Sequence, residues 1–238
     1  DPLTWEIKLR PGVRFHDGSP LTIEDVIYSL ERPLTIKGSP GGFASNVRAI
    51  VAKEIVDRTT LRLKTAVPYG PLLQDLALVQ IVSKRLAERA AGEDFDSGKA
   101  AIGTGAYRLV RFARGDRIQL ARYDGYWGPR PEWDTVTMRI LPNDPTRTAA
   151  LLAGELDAIE NVPTADLARL RKSAAHRLAQ TVSWRTIFLH LDQHRTNPPG
   201  VTDKAGKPLA ANPFQDIRVR QALSKAINRA AIAERVME

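Results

Sequence analysis

Cysteine is absent from the 238 residues. That excludes disulfides, thiol catalysis and thiolate metal sites. It is compatible with an oxidising compartment, where stray thiols are a liability. No run of about 18 apolar residues occurs, so no membrane-spanning helix is expected. There is no dense Lys/Arg block, although the formal net charge is +8. The arginines are scattered among apolar residues, and no ladder of aromatics interleaves with them, so a solvated basic surface is expected, with no nucleic acid as partner. No G-x-S-x-G elbow exists to anchor a serine hydrolase. No internal repeat or low-complexity tract is present.

What is present is a mixed order of strand and helix patterns. Trp5, Ile7 and Leu9 alternate with Glu6, Lys8 and Arg10, a period of two that predicts a half-buried strand. Pro11-Gly12 turns the chain, Val13 and Phe15 resume the alternation, and Asp17-Gly18 turns it again. Thr22 is placed to cap a helix, with Asp25 as the acidic half of a capping box. Ile23, Val26, Ile27 and Leu30 form one apolar stripe, and Pro33 is expected to stop that helix soon after.

Further along, residues 51–56 and 61–63 predict two strands joined at "DRTT", and "VPYGP" a rigid turn before a short apolar helix. "SKRLAERAAGEDFDSGKA" reads as helix, then loop. "GTGAYRLVRF" and "RIQLARY" predict a hairpin, "TVTMRI" another strand, and "DPTRTAALLAGELD" a helix ending near Gly154. Thr164 is expected to cap the next helix, "TIFLHL" (186–191) to be a strand, and the stripe from Val219 to Ala230 to be a helix.

The candidate chemistry is thin. His16-Asp17 has no partner at a useful spacing, and turn geometry explains it adequately. His190, Asp192 and His194 would share one face of an extended segment and could approach a metal, but the stretch crosses from strand to loop, and a structural or solvent role is the better reading. Gly103-Thr104-Gly105 lacks the P-loop frame and opens a strand, not a helix. Asp124 and Asp134 sit among turn residues, with nothing placing them at glycosidase spacing. Tyr123, Tyr126, Trp127 and Trp133 are expected to glue a loop to a sheet more than to stack on a ligand. An α/β scaffold with long loops and no reaction machinery favours a binding module over an enzyme.

Five separated stretches carry a resemblance. "WEIKLRPGVRFHDGSPLTIEDVIYSLER", "GTGAYRL", "YDGYWGPRPEWDTV", "RTAALLAGELDAI" and "NPFQDIRVRQALSKAINRAAI" occur in this order across essentially the whole chain. Together they resemble the family 5 extracellular solute-binding proteins, the periplasmic dipeptide, oligopeptide, nickel and glutathione receptors of ABC importers. The resemblance implies an α/β fold: a periplasmic-binding-protein-like type II lobe with a mixed sheet and flanking helices, plus a smaller α+β subdomain. It implies a fragment lacking the second lobe. Residues 1–100 would be the smaller subdomain of the first lobe, 101–215 its main part, and 216–238 the helix leading toward the missing lobe. Asp1 then reads as a cut end.

By the same resemblance, no bond is made or broken. A peptide-like or small amine-bearing solute is enclosed between two lobes and delivered to an inner-membrane ABC permease with its ATPase subunits. The protein would be a monomer without a cofactor, periplasmic or lipid-anchored at the outer face of the cytoplasmic membrane. The alternative is an effector-sensing domain of a transcriptional regulator with the same fold. Phe43 matches the segment where peptide receptors place an aromatic on the cleft wall. Asp192 and Gln193 stand at the strand end where the family carries a ligand-facing asparagine, and an acid there would suit a cationic or amine-bearing ligand. Trp184 and Thr186 are expected to line the same wall. The stretch 194–212 departs from the shortest family members.

Overall fold

The computed structural model describes residues 1–36, 43–181 and 186–237. The chain divides into two compact units, residues 1–140 and 141–238.

The first unit begins with strand β1 (Thr4–Lys8), then helix α1 (Ile23–Thr35) and the hairpin β2 (Ile50–Ile55) and β3 (Thr60–Thr65). β3 is central, antiparallel to both neighbours, with Trp5 opposite Leu63 and Ile7 opposite Leu61. The alternation seen in sequence puts Leu61 and Leu63 on one face, where they are fully buried with Ile23, Val26, Leu30 and Val47. On the opposite face, the Arg62 guanidinium donates to Glu6 at 2.7 Å and to Glu54 at 3.3 Å.

α1 starts as its residues dictate. The Thr22 hydroxyl oxygen accepts from the Asp25 N–H, and the Asp25 carboxylate accepts from the Thr22 N–H at 2.8 Å. Asp25 is buried, and its other oxygen accepts from the Lys84 N–H at 2.8 Å. The Ser29 hydroxyl takes the Val82 N–H at 2.9 Å. One helix face therefore satisfies its own first turn and also fixes the segment entering the next helices, with its buried polar groups bonded. α1 passes through Pro33 and ends at Thr35. The proline lies in the last turn, where few residues remain to be disrupted.

Short helices α2 (Leu72–Leu76), α3 (Lys84–Ala87) and α4 (Gly92–Asp96) follow, so "SKRLAERAAGEDFD" forms two short helices and not one. A second antiparallel sheet completes the unit: β4 (Tyr107–Ala113), β5 (Arg117–Arg122) and β6 (Thr135–Arg139), with β5 central and a bulge between Leu109 and Arg111. The stretch at Val13 to Phe15 is not a strand. Arg14 makes one isolated bridge to Pro20, because the Asp17-Gly18 turn folds the chain back before a ladder can extend.

The second unit holds α5 (Asp144–Leu152), α6 (Thr164–Arg171), α7 (Ile217–Ala226) and α8 (Arg229–Ile232), the last running into a π-helical turn at Ala233–Met237. Asn143 caps α5 through the Thr146 N–H. Thr164 is the first residue of α6, and the capping position belongs to Pro163. The single C-terminal helix expected from the apolar stripe is broken at Ile227, where the backbone is extended and Asn228 caps a new start. Residues 186–191 are not a strand, and no ladder partner pairs with them among the described residues.

Candidate functional site

Three of the quoted sequence stretches meet at one junction in the first unit. The Asp17 carboxylate accepts from the Ser19 N–H and hydroxyl, which closes the turn, and Gly18 supplies the φ of +83° that the turn needs. The turn holds His16 so that its backbone N–H donates to the Gly103 carbonyl at 2.9 Å. The ring clamps the same loop from both sides: Nδ1 accepts from the Gly103 N–H at 3.3 Å, and Nε2 donates to the Gly105 carbonyl at 3.0 Å. His16 is thus a loop holder, with both ring nitrogens bonded to the backbone of residues 103 and 105.

The aromatic loop after β5 closes the junction. The Tyr123 hydroxyl donates to the Phe15 carbonyl at 2.9 Å, and its ring meets that of His16 edge-on at 5.0 Å. The Trp127 indole N–H donates to the Thr104 carbonyl at 3.1 Å, while the Arg10 guanidinium lies 4.8 Å over the indole. Gly125 has to be glycine, because a Cβ would sit 2.6 Å from the Tyr123 ring. Tyr123 and Trp127 glue this loop onto the scaffold, as their residue types predict, whereas Trp133 is 67% exposed.

Burial pushes the Asp17 carboxyl up. The Ser19 bonds and the Arg85 guanidinium, 2.6 Å away, outweigh that and hold it below its ordinary value. These groups position a turn, and nothing around them forms an acid–base pair.

Phe43, the aromatic expected on a cleft wall, opens a short 3₁₀ segment and is 57% exposed. It lines a cavity of about 250 Å³ with Arg32, Ile36, Leu78 and Phe95, and the Arg32 guanidinium lies 4.0 Å over the Phe95 ring. Trp184 lies outside the described residues.

In the second unit, Thr186 and Gln193 are exposed. The Asp192 carboxylate accepts from the backbone N–H groups of His194 and Arg195, both at 3.1 Å, with the Arg195 guanidinium 3.6 Å away. The Arg195 N–H, more than any other group, holds this carboxyl below its usual range. The turn is locked by a residue that sequence reasoning missed. Asn212, buried, donates through Nδ2 to the carbonyls of Asp192 and Arg195, both at 2.7 Å, and accepts from the Phe214 N–H at 2.9 Å. The Asn-Pro-Phe order was the available signal, because an Asn side chain before proline is suited to capping the turn that follows. The stretch 194–212 closes on itself through a bridge between Thr202 and Pro208, with the Asp203 carboxylate accepting from the Ala205 and Lys207 N–H groups.

Among the described residues no group of three or more His, Cys, Asp or Glu could hold a metal ion. The His190 ring stands against Phe188 at 6.2 Å, and Asp192 serves backbone groups. Residues 187–191 and helices α7 and α8 line an open groove of about 740 Å³, with Ile187, Phe188, Leu189, Leu223, Ile227 and Ile232 on its walls.

Comparison with known proteins agrees with this scaffold. The dipeptide-binding protein of Escherichia coli strain K12 is 27% identical over 100% of this chain and 45% of its own length. A glutathione-binding protein, GsiB, from Pectobacterium atrosepticum is 30% identical over 98% of this chain and 42% of its own. The chain therefore spans less than half the length of these relatives. Among solved structures, NikZ from Campylobacter jejuni, in complex with Ni(L-His), superposes with a TM-score of 0.74 over 99% of this chain and 44% of its own, at 20% identity, and so speaks for the fold alone. The periplasmic binding protein DppA from Helicobacter pylori, in complex with the peptide STSA, gives 0.61 over 73% of this chain and 38% of its own, at 26% identity. The fold is that of a type II periplasmic binding protein. The family described as bacterial extracellular solute-binding proteins, family 5 middle, matches residues 1–238 in full, and this chain belongs to it.

Proposed function

We propose that this chain is part of the first lobe of an extracytoplasmic receptor that captures a peptide-like or small amine-bearing solute and delivers it to an ABC import permease. The observation that carries the reading is the family match over residues 1–238. The two relatives named above are a dipeptide-binding and a glutathione-binding protein, which supports a peptide-like solute. The described side chains that sequence singled out for chemistry are spent on turns and loops, which supports holding over catalysis. In this reading the protein works as a monomer on the outer side of the cytoplasmic membrane, with residues 1–100 as the smaller subdomain of the lobe. Phe43, Thr186, Asp192 and Gln193 are its ligand-facing candidates, with Trp184 as a further one.

The test is mass spectrometry of solute co-purified with the full-length protein, followed by calorimetry with a panel of dipeptides and glutathione. Binding at roughly micromolar Kd or tighter, with the peptides recovered uncleaved, is the expected result. Hydrolysis of any peptide in the panel would overturn it.

A further inference from the structure

At the end of α1 a cation stands on the wall of an apolar cavity with no acid beside it. Arg32 belongs to the last turn of the helix and is half-buried. Its guanidinium lies 4.0 Å over the Phe95 ring. A contact with the ring face leaves the N–H donors unused. The acids close to it in sequence, or close to Phe95, are engaged elsewhere. Glu31 pairs with Lys53 at 3.4 Å, Asp94 with Lys99 at 3.9 Å and with the Ala91 N–H at 2.9 Å, and Asp96 with Arg114 at 3.7 Å. Among the described residues the Arg32 guanidinium has no ion pair and donates no hydrogen bond.

A basic residue in a last turn complements the helix dipole, but that role asks only for solvent around it. Here the arginine is held against an aromatic ring beside about 250 Å³ of space, walled by Ile36, Phe43, Leu78, Val79 and Phe95. The Ser29 hydroxyl on the same lining is occupied, donating to the Asp25 carbonyl and accepting from the Val82 N–H. One cation therefore faces apolar walls, and its N–H groups are the charged donors of the cavity.

We propose that this cavity binds a small monocarboxylate with an apolar, aromatic or branched body. The planar guanidinium fork matches a carboxylate, and one positive charge balances one negative charge. A phosphate would set further polar oxygens against Ile36, Leu78 and Val79, where nothing bonds them. The volume is small for a ligand site, so one side-chain-sized body fits and a peptide does not. The lining residues all belong to the first unit. The proposal goes beyond peptide capture and shares only Phe43 with the residues proposed to face that solute.

The test is a titration of the full-length protein with phenylacetate and with phenylacetamide, followed by ligand-observed NMR. Phenylacetate should bind with a Kd of about 1 mM or tighter, and the amide at least about ten-fold more weakly. Arg32→Gln should weaken phenylacetate by about ten-fold or more and remove the preference for the acid. Ile36→Trp, at a partly exposed wall position, should block the cavity and abolish binding while the melting temperature stays that of wild type. If Arg32→Gln does not fold, Ile36→Trp and the acid–amide comparison decide. The proposal fails if acid and amide bind alike, if Ile36→Trp or a folded Arg32→Gln binds phenylacetate as wild type does, or if no binding is seen at roughly 10 mM. Displacement of phenylacetate by an equal concentration of inorganic phosphate would mean a bare anion site and overturn it too. Dipeptide binding by the same variants, measured separately, tests the capture reading and not this one.

Discussion

Asp17 shows how one carboxylate can look catalytic and be structural. It accepts three bonds, two from Ser19 and one from Arg85, and through the turn it aims His16 at the loop 103–105. Its folded pKa is depressed. The stabilisation is therefore present above the unfolded value near pH 4 and is lost as pH falls through the lower folded value. Asp17→Asn should cost about 1–2 kcal/mol at neutral pH, since a half-exposed charged partner is screened and the Ser19 bonds dominate. The gap to wild type in urea melts should shrink as pH falls below about 4; a gap constant with pH would mean that the carboxylate charge contributes nothing. Asp192 separates differently. Asp192→Asn keeps an oxygen for the His194 and Arg195 N–H groups, whereas Asp192→Ala removes it. If the charge grips an amine, calorimetry on the full-length protein with the dipeptide it binds should show both variants weakened at least ten-fold. If only the turn matters, Asn should bind as wild type does.

At the scale of elements, the buried polar contacts decide where segments are fixed. Asn212 makes two donor bonds and one acceptor bond in a buried position. Asn212→Ala leaves those carbonyls unsatisfied and should cost about 2–4 kcal/mol, read from chemical denaturation. Leu61→Ala, at the centre of the first sheet, should cost about 2–5 kcal/mol through the cavity it leaves. The elements most legible in sequence are those whose partners are local. The Thr22–Asp25 box and the β2–β3 and β4–β5 hairpins are all decided within a few residues. The elements that escaped reading are those decided by distant contacts or by their absence. Asn228 restarts a helix inside an unbroken apolar stripe, because its side-chain cap outcompetes continuation at Ile227. The junction of His16, Gly103 and Tyr123 spans more than a hundred residues of sequence, so its parts were visible as turns but not as one contact. Residues 186–191 have the composition of a strand, yet a strand exists only beside a partner.

Across the whole chain, the two units differ in how their apolar side chains are covered. In the first, Phe15, Leu61 and Leu63 are fully buried. In the second, Ile187, Phe188 and Leu189 are 74%, 71% and 66% exposed. Three consecutive large apolar residues left in water forgo roughly 25 cal/mol for each Å² they could bury, and patches of this kind mark surfaces meant for covering. The relatives carry more than twice this length of polypeptide, enough to supply such cover. Residues 1–238 expressed alone should therefore bind the dye ANS, and amides of 186–191 and α7 should exchange with solvent orders of magnitude faster than those of β3, because local opening costs little where few apolar contacts hold. In the full-length protein the dye signal should fall and the same amides should gain protection. Equal protection of both units in the 238-residue chain would mean that the groove closes on its own residues without further polypeptide.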